Sequence, residues 1–103
     1  MNKNIKFGFK PTHPGEVLKD EIEYRKISQI KLAEQMGVSY KILNDILNER
    51  RPVTTTTAML FEAALDVPAD SLLQLQLQYN LQIASKDKLL ASRLTKIRKV
   101  AAL

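Results

Sequence analysis

The sequence of 103 residues has no cysteine and no tryptophan, and it contains only three glycines. Without cysteine there is no disulfide and no thiolate metal site, which fits an intracellular protein. The glycines are isolated from one another, so there is no glycine-rich phosphate loop. No apolar run approaches the ~18 residues of a membrane span. The basic N-terminal segment also lacks the long apolar stretch of a secretory signal, and we therefore expect a cytoplasmic location.

Side chains suited to catalysis are also scarce. His13 is the only histidine, and it has no second histidine or cysteine with which to hold a metal or activate a nucleophile. Asp20, Glu21 and Glu23 lie close together in a predicted exposed helix, where carboxylates are usually solvated rather than paired for acid–base chemistry. We therefore predict that the protein is not an enzyme and that it has no catalytic residue, metal or cofactor.

The basic charge is unevenly distributed along the chain. The net charge is +5, but residues 14–85 contain more acidic than basic side chains, so the basic excess lies in the two ends. Residues 86–103 contain six basic side chains and one acidic side chain. A basic protein can bind nucleic acid by neutralising phosphates. Because this charge lies outside the central region, it gives little support to nucleic-acid binding by that region.

A helix-turn-helix pattern occupies residues 28–51. Ser28 and Ser39 are good N-caps for two short helices, and Gly37 suits the left-handed residue that ends the first of them. Ala33 is small enough to let the second helix cross close by. Other small helical domains also contain alanines, a glycine turn and periodic leucines, but the complete spacing favours the helix-turn-helix. The motif predicts DNA binding, with the second helix in the major groove.

The predicted second helix has polar side chains near its start, where a recognition helix meets the base edges. Asn44 has the groups for bidentate pairing with adenine, and Lys41 can donate to guanine. Asp45 would repel phosphate, so we leave it out of the DNA-binding set and expect it to point away from the core. Polar residues that begin the first helix or follow the second suit phosphate contacts. The predicted DNA-binding residues are Gln29, Ser39, Tyr40, Lys41, Asn44, Asn48, Arg50 and Arg51.

The flanking segments predict further helices. His13 is the expected N-cap of a first helix that starts at Pro14, with Glu16 in the capping-box position. Thr54 suits the cap of a fourth helix, and Pro68 the start of a fifth. The apolar side chains expected to face the core are Val17, Leu18, Ile22, Ile30, Leu32, Ala33, Met36, Leu43, Ile46, Leu47, Met59, Leu60, Ala63, Ala64 and Leu65.

Residues 72–83 are open to two interpretations. Leucine and glutamine alternate over residues 73–78 with the period of a strand. The same residues form separate leucine and glutamine stripes on a helix, and both residue types are strong helix formers, which favours the helix. Two apolar stripes on one helix suggest two partners, namely the domain's own core and a second copy of the chain.

The last 18 residues form a basic extension with apolar residues at helical spacing. This extension is either a basic amphipathic helix or a tail that orders only on a partner. We therefore divide the chain into an N-terminal arm (residues 1–12), a helix-turn-helix DNA-binding domain (13–85) and a basic C-terminal extension (86–103).

Several motifs together resemble the HigA-type antitoxins of the XRE-like helix-turn-helix family. The resemblance covers about residues 13–82. Its most selective motifs are the first, which opens with His13-Pro14-Gly15-Glu16, and the last, which runs from Leu75 to Leu81. The motifs are His13-Pro14-Gly15-Glu16-Val17-Leu18, Ser28-Gln29, Leu32-Ala33-Glu34-Gln35-Met36-Gly37-Val38-Ser39, Asn48-x-Arg50-Arg51-x-x-Thr54 and Leu75-Gln76-x-x-Tyr79-Asn80-Leu81. Two positions depart from the family pattern, because Glu49 replaces the usual glycine and Leu72 replaces the usual tryptophan.

The resemblance implies an all-α, five-helix lambda-repressor-like domain that forms a homodimer and binds palindromic operator DNA. It also implies an antitoxin that represses its own operon and neutralises a HigB-type toxin, a RelE-like mRNA endonuclease. A stand-alone repressor without a toxin is the main alternative. A protein-interaction module that has lost DNA binding is a third possibility, because the central region has a net negative charge.

Overall fold

The computed structural model describes residues 11–101, and all of their regular secondary structure is helical. The helices are α1 (Pro14–Tyr24), α2 (Gln29–Met36), α3 (Tyr40–Leu47), α4 (Thr55–Leu65), α5 (Ala69–Ser85) and α6 (Lys88–Ala101). The all-α class is therefore confirmed, and the helix expected over residues 72–83 lies inside α5. The predicted arm, residues 1–12, falls outside the described residues except for Pro11 and Thr12.

The described chain divides into two compact units. One is Thr12–Leu77, which contains α1 to α4 and the first part of α5, and the other contains the rest of α5 and α6. The expected basic extension is helical in α6. The five-helix count and the predicted boundaries at 12/13 and 85/86 remain predictions. Within residues 11–101, no helix is both long and apolar enough to cross a membrane.

Local capping sets where the first four helices begin. The His13, Ser28, Ser39 and Thr54 side chains each accept a hydrogen bond from a backbone N–H in the first turn of the helix that follows. Such bonds satisfy donors that have no partner within the helix. All four predicted caps are therefore confirmed. The reciprocal capping-box bond is present at Thr54, where the Thr57 side chain returns it.

The core lies in the first unit and consists of buried side chains from α1 to α5, together with Val53 from the segment before α4. The fully buried aromatic ring of Phe61 is the largest of them. The prediction for α4 was wrong at Met59 and Ala63, which are exposed, whereas Ala58 and Phe61 are buried with Leu65. Residues 58–65 are almost all apolar, so their sequence does not mark one face. The cap at Thr54 and packing against α2 decide which side turns inward.

Two other predicted core positions were also wrong. Val17 in α1 and Ile30 in α2 are exposed, while Leu18 and Ile22, and Leu32, Ala33 and Met36, form the buried sides of those helices. A short helix can pack on the core through a narrow apolar stripe, because residues three and four positions apart lie on the same face of the helix. The exposed aliphatic side chains lie just outside that stripe.

Candidate DNA-binding surface

A short, fixed turn joins α2 to α3. Gly37 has φ of 73°, the left-handed conformation that favours glycine. The N–H groups of Gly37 and Val38 donate to the carbonyls of Glu34 and Ala33 at 3.1 and 3.0 Å, which closes α2. Ser39 then accepts from Ile42 N–H at 3.1 Å and opens α3. This turn sets the direction of α3 relative to α2, as the helix-turn-helix pattern predicted.

The inner side of α3 is held close to its neighbours. Leu43, Ile46 and Leu47 are buried, and α3 makes its main contacts with α1 and α2. At the start of α1, Gly15 lies so close to α3 that a Cβ atom there would overlap the Ile46 carbonyl oxygen. The small Ala33 is buried in α2. Close packing on one side therefore leaves the opposite side of α3 facing outward.

The eight predicted DNA-binding residues occupy α3 and the segments beside it. Five are exposed and the other three are half-buried. The exposed residues are Ser39, Tyr40, Lys41, Arg50 and Arg51, and the half-buried residues are Gln29, Asn44 and Asn48. Hydrogen bonds connect several of them, so they form a joined surface rather than scattered side chains. We call these eight residues the α3 surface.

Asn44 is the centre of the hydrogen bonding on the α3 surface. Its Nδ2 donates to Gln29 Oε1 at 3.2 Å and to Tyr40 Oη at 3.4 Å. Its Oδ1 accepts from Arg50 Nη2 at 3.0 Å. An amide that presents a donor and an acceptor side by side is suited to the edge of adenine. In the free protein those same groups are used internally, and the bonds hold the amide plane in place.

Lys19 is a member of this region that the sequence did not reveal. Its Nζ on α1 donates to Asn48 Oδ1 at 3.1 Å, while Asn48 Nδ2 donates to the Asn44 carbonyl at 2.9 Å. The Lys19 position is 29 residues away from Asn48, so only the folded packing of α1 on α3 brings them together. Lys19 adds a cation next to a residue predicted to contact phosphate.

Asp45 is the main correction to the predicted site. It was expected to point outward and repel phosphate, yet its side chain is only 12% exposed. Its Oδ2 accepts from Lys41 Nζ at 3.0 Å, and its Oδ1 accepts from Arg50 Nε at 3.2 Å. Arg51 Nη2 lies 4.0 Å from Oδ2. The carboxylate thus lies behind cations that remain exposed. The i,i+4 spacing of Lys41 and Asp45 was the available signal for this pair.

The charges around Asp45 keep it ionised. The hydrogen bond from Lys41 lowers the pKa of Asp45 below its usual value, partial burial opposes that change, and Arg50 adds to the lowering. A charged acceptor strengthens the hydrogen bonds that it receives. The outward side of this cluster therefore presents positive charge, while the compensating negative charge lies underneath.

The end of α3 is closed by a left-handed residue at Glu49, where φ is 65°. Glu49 N–H donates to the Ile46 carbonyl at 3.1 Å, and Arg50 N–H donates to the Asp45 carbonyl at 2.8 Å. This pair of bonds is the Schellman motif, which usually has glycine in the left-handed position. Glu49, which replaces the glycine usual in the HigA-type pattern, therefore takes the left-handed conformation itself. The motif also fixes the backbone of Arg50 next to α3.

The arrangement defines a helix-turn-helix protein in which the outer surface of α3 is positively charged and connected by hydrogen bonds. Residues 18–72 match the HTH_3 helix-turn-helix family. The chain belongs to this family, whose members are XRE-like. It is 35% identical over 77 residues to virulence-associated protein I of Dichelobacter nodosus, an alignment that covers 74% of this chain and 71% of that protein.

Solved structures of antitoxins share the fold. The antitoxin GraA superposes with a TM-score of 0.72 and 34% identity, covering 77% of this chain and 86% of GraA. The Pseudomonas aeruginosa antitoxin HigA, solved with the higBA promoter, superposes with a TM-score of 0.71 and 33% identity. That alignment covers 84% of this chain and 90% of HigA. The expected resemblance to HigA-type antitoxins is confirmed.

Proposed function

We propose that this protein is an antitoxin that represses its own operon by binding palindromic operator DNA as a homodimer. The observation that carries the proposal is the α3 surface, whose amide and cationic groups face outward from a rigidly packed helix. The similarity of the chain to HigA, which was solved with promoter DNA, supports DNA binding by this protein as well. A protein that binds operator DNA in this way needs no catalytic group and would act in the cytoplasm.

The proposed roles divide the α3 surface by position. Tyr40, Lys41 and Asn44 belong to the first turn and a half of α3 and would meet base edges, with Ser39 just before them. Residues at the ends of the two helices would contact phosphates, which position the protein without reading sequence. These phosphate-contacting residues are Gln29, Asn48, Arg50 and Arg51.

The proposed dimer uses the outer side of α5. Leu77 and Leu81 are one helical turn apart and both are exposed. Exposed leucines in regular register favour a second apolar surface, and symmetric pairing would bury the same residues from each copy. A two-fold dimer would place its two α3 helices about 34 Å apart, which matches successive major grooves on one side of DNA. The operator should then contain two inverted half-sites.

The proposed toxin partner is of the HigB type, a RelE-like mRNA endonuclease. Support comes from the family likeness to GraA and HigA, both described as antitoxins. Helix α6 is a candidate for the toxin-binding segment, because from Ala91 to Val100 its residues are exposed. The alternative for α6 is an additional packing or dimer helix, and a deletion after Ser85 separates the two by its effect on toxin binding and on dimer mass.

Two measurements test the proposal. DNase footprinting on the DNA upstream of the gene should show protection of two symmetric half-sites about one helical turn apart, with affinity that falls as salt rises. Co-expression with the toxin encoded beside the gene should restore growth that the toxin alone prevents. Protection of DNA without rescue of growth would instead identify a stand-alone repressor. Absence of any footprint would refute the DNA-binding proposal.

A further inference from the structure

A buried carboxylate beneath exposed cations is an unusual component for a surface that binds a polyanion. An acid next to DNA lowers the attraction to phosphate, so its presence calls for a compensating role. Asp45 is the only charged residue of α3 with a buried side chain. It contacts one cation at each end of that helix. Lys41 lies in the first turn of α3, whereas Arg50 follows its last turn.

We propose that Asp45 is a positioning residue for DNA reading, which holds the Lys41 ammonium and the Arg50 guanidinium in fixed places and so increases discrimination between operator and other DNA. This inference rests on the proposed DNA binding. It concerns how sharply the surface discriminates, whereas the proposed function concerns whether it binds DNA at all.

The exposures of the three side chains fit this role. The Lys41 side chain is 80% exposed and that of Arg50 is 59% exposed, against 12% for Asp45. Lysine has three N–H donors and arginine has five, so the contacts with Asp45 and Asn44 leave donors directed at solvent. The cations are therefore restrained from below and remain available from above.

Restraint and charge act in the same direction on discrimination. Long basic side chains lose conformational freedom when they bind in one geometry, and a side chain that is already restrained loses less. For Lys41, which is proposed to meet base edges, this favours the sequence in which its donors meet their acceptors. Arg50 acts on discrimination through its hydrogen bond to Asn44. One fewer net positive charge also weakens sequence-independent attraction to phosphate. Both effects increase the ratio of operator affinity to non-specific affinity.

Arg50 is restrained more fully than Lys41. Its backbone N–H is fixed by the Asp45 carbonyl in the Schellman motif, and its guanidinium contacts both Asp45 and Asn44. The same network therefore links Arg50 to Asn44, the residue proposed to read adenine. Loss of the Asp45 charge would release the Lys41 and Arg50 side chains together.

The test uses Asp45→Asn, which keeps the size of the side chain and removes its charge. The probes are duplexes that the wild-type protein selects from a randomised pool, together with a scrambled duplex of the same composition. We expect the affinity for the scrambled duplex to rise and the ratio of selected to scrambled affinity to fall by about tenfold, a typical size for loss of an ordered base contact.

Glu21→Gln is the matched control. Glu21 also forms an i,i+4 ion pair, with Arg25 at 2.6 Å, and its replacement changes the net charge by the same amount. We expect the affinity ratio of this variant to change far less than that of Asp45→Asn, because the partner of Glu21 is Arg25, which does not belong to the α3 surface. An unchanged ratio in Asp45→Asn, or an equal fall in Glu21→Gln, would overturn the positioning role.

Two further measurements extend the test. The first remains informative if Asp45→Asn does not fold, and the second also if DNA binding fails. Arg50→Lys keeps the charge but loses the planar guanidinium, so it should also lower the affinity ratio. In the free protein, nuclear magnetic resonance should detect a slowly exchanging Arg50 Nε–H. Exchange as fast as that of an unrestrained arginine would refute the positioning role, even with DNA binding intact. A wild-type protein that selects no DNA sequence would refute the proposed function, while the exchange measurement would still decide the restraint.

Discussion

Helices α3 and α6 are both amphipathic and both carry basic side chains, but their surroundings differ. In α3 the apolar residues Leu43, Ile46 and Leu47 are buried, and a buried acid holds the cations. In α6 the residues from Ala91 to Val100 are all exposed, and residues 88–101 contain basic side chains but no acid. A basic stripe therefore becomes a defined surface only when packing fixes the helix and neighbouring groups fix the charges.

The largest expected difference between the two helices is in the cost of removing an isoleucine. Ile46 in α3 is 1% exposed and Ile97 in α6 is 58% exposed. Ile46→Ala should lower the free energy of unfolding by about 3 kcal/mol, because it leaves a cavity in the core. Ile97→Ala should change it by less than about 0.5 kcal/mol. Urea unfolding of the two variants measures both values, and similar costs would show that α6 is packed as tightly as α3.

A smaller loss is expected where α1 approaches α3. Gly15→Ala places a Cβ atom against the Ile46 carbonyl oxygen, and a backbone atom cannot move aside as a side chain can. We expect a destabilisation of about 2 kcal/mol, typical of overpacking. Glu16→Ala is the control at the next position, where the side chain is exposed and only the interaction of a first-turn acid with the helix dipole is lost, less than about 1 kcal/mol. Equal stabilities in thermal unfolding would contradict the close approach of the two helices.

The N-cap of α1 should make the stability of this region depend on pH. His13 Nδ1 accepts from Gly15 N–H at 2.8 Å, which only an unprotonated nitrogen can do. Burial lowers the pKa of His13 from its ordinary value of 6.5, although the negative charge of Glu49 opposes the change. Stability from this group is therefore complete above pH 6.5 and is lost as pH falls toward the lower pKa of the folded state.

Urea unfolding from pH 7.5 to 5 measures this dependence, and the total effect should approach the contribution of an N-cap, about 1 kcal/mol. His13→Asn keeps a capping acceptor without a titrating group, so its stability should not have the same slope. Identical slopes for the wild type and His13→Asn would assign the dependence to other groups. Helix α6 has no histidine, and its variants should keep the wild-type slope.

The smallest expected effect is a gain of stability at the end of α3. Glu49 has φ of 65°, and glycine adopts this conformation without the crowding of a Cβ atom. Glu49→Gly should raise the free energy of unfolding by about 0.5–1 kcal/mol. Asp66→Gly, at φ of 59° after α4, is the control with the same backbone geometry away from α3. A loss of stability in Glu49→Gly alone would show that the glutamate side chain outweighs the strain.

Local signals predicted the helix-turn-helix well because its boundaries depend on neighbouring residues. Ser28, Gly37 and Ser39 each act within a few residues of their own position, and each has its expected conformation or hydrogen bond. The core face of α4 was not predictable in this way, since apolar residues occur on every side of that helix. Gln76 shows the same limit, because it is buried to accept from Val53 N–H at 2.8 Å, 23 residues earlier.

The candidate site was predicted in part. The eight residues of the α3 surface follow from helix geometry, and their use in DNA binding remains a prediction. The roles of Lys19 and Asp45 depend on how the folded chain brings side chains together, which a single sequence does not reveal. Asp45 was predicted to point outward, where an unpaired carboxylate would repel phosphate. Its actual partners, Lys41 and Arg50, change that conclusion.

The most direct test of the proposed function compares matched pairs of substitutions in the two helices. Lys41→Ala with Asn44→Ala alters the α3 surface, while Lys96→Ala with Arg98→Ala removes two exposed cations from α6. At one fixed salt concentration, a mobility-shift titration with operator DNA should show at least a tenfold loss for the α3 pair, since each base contact contributes about 1–3 kcal/mol. The α6 pair should lose much less and keep its sequence preference. Unchanged affinity in the α3 pair, or a greater loss in the α6 pair, would contradict DNA recognition through α3.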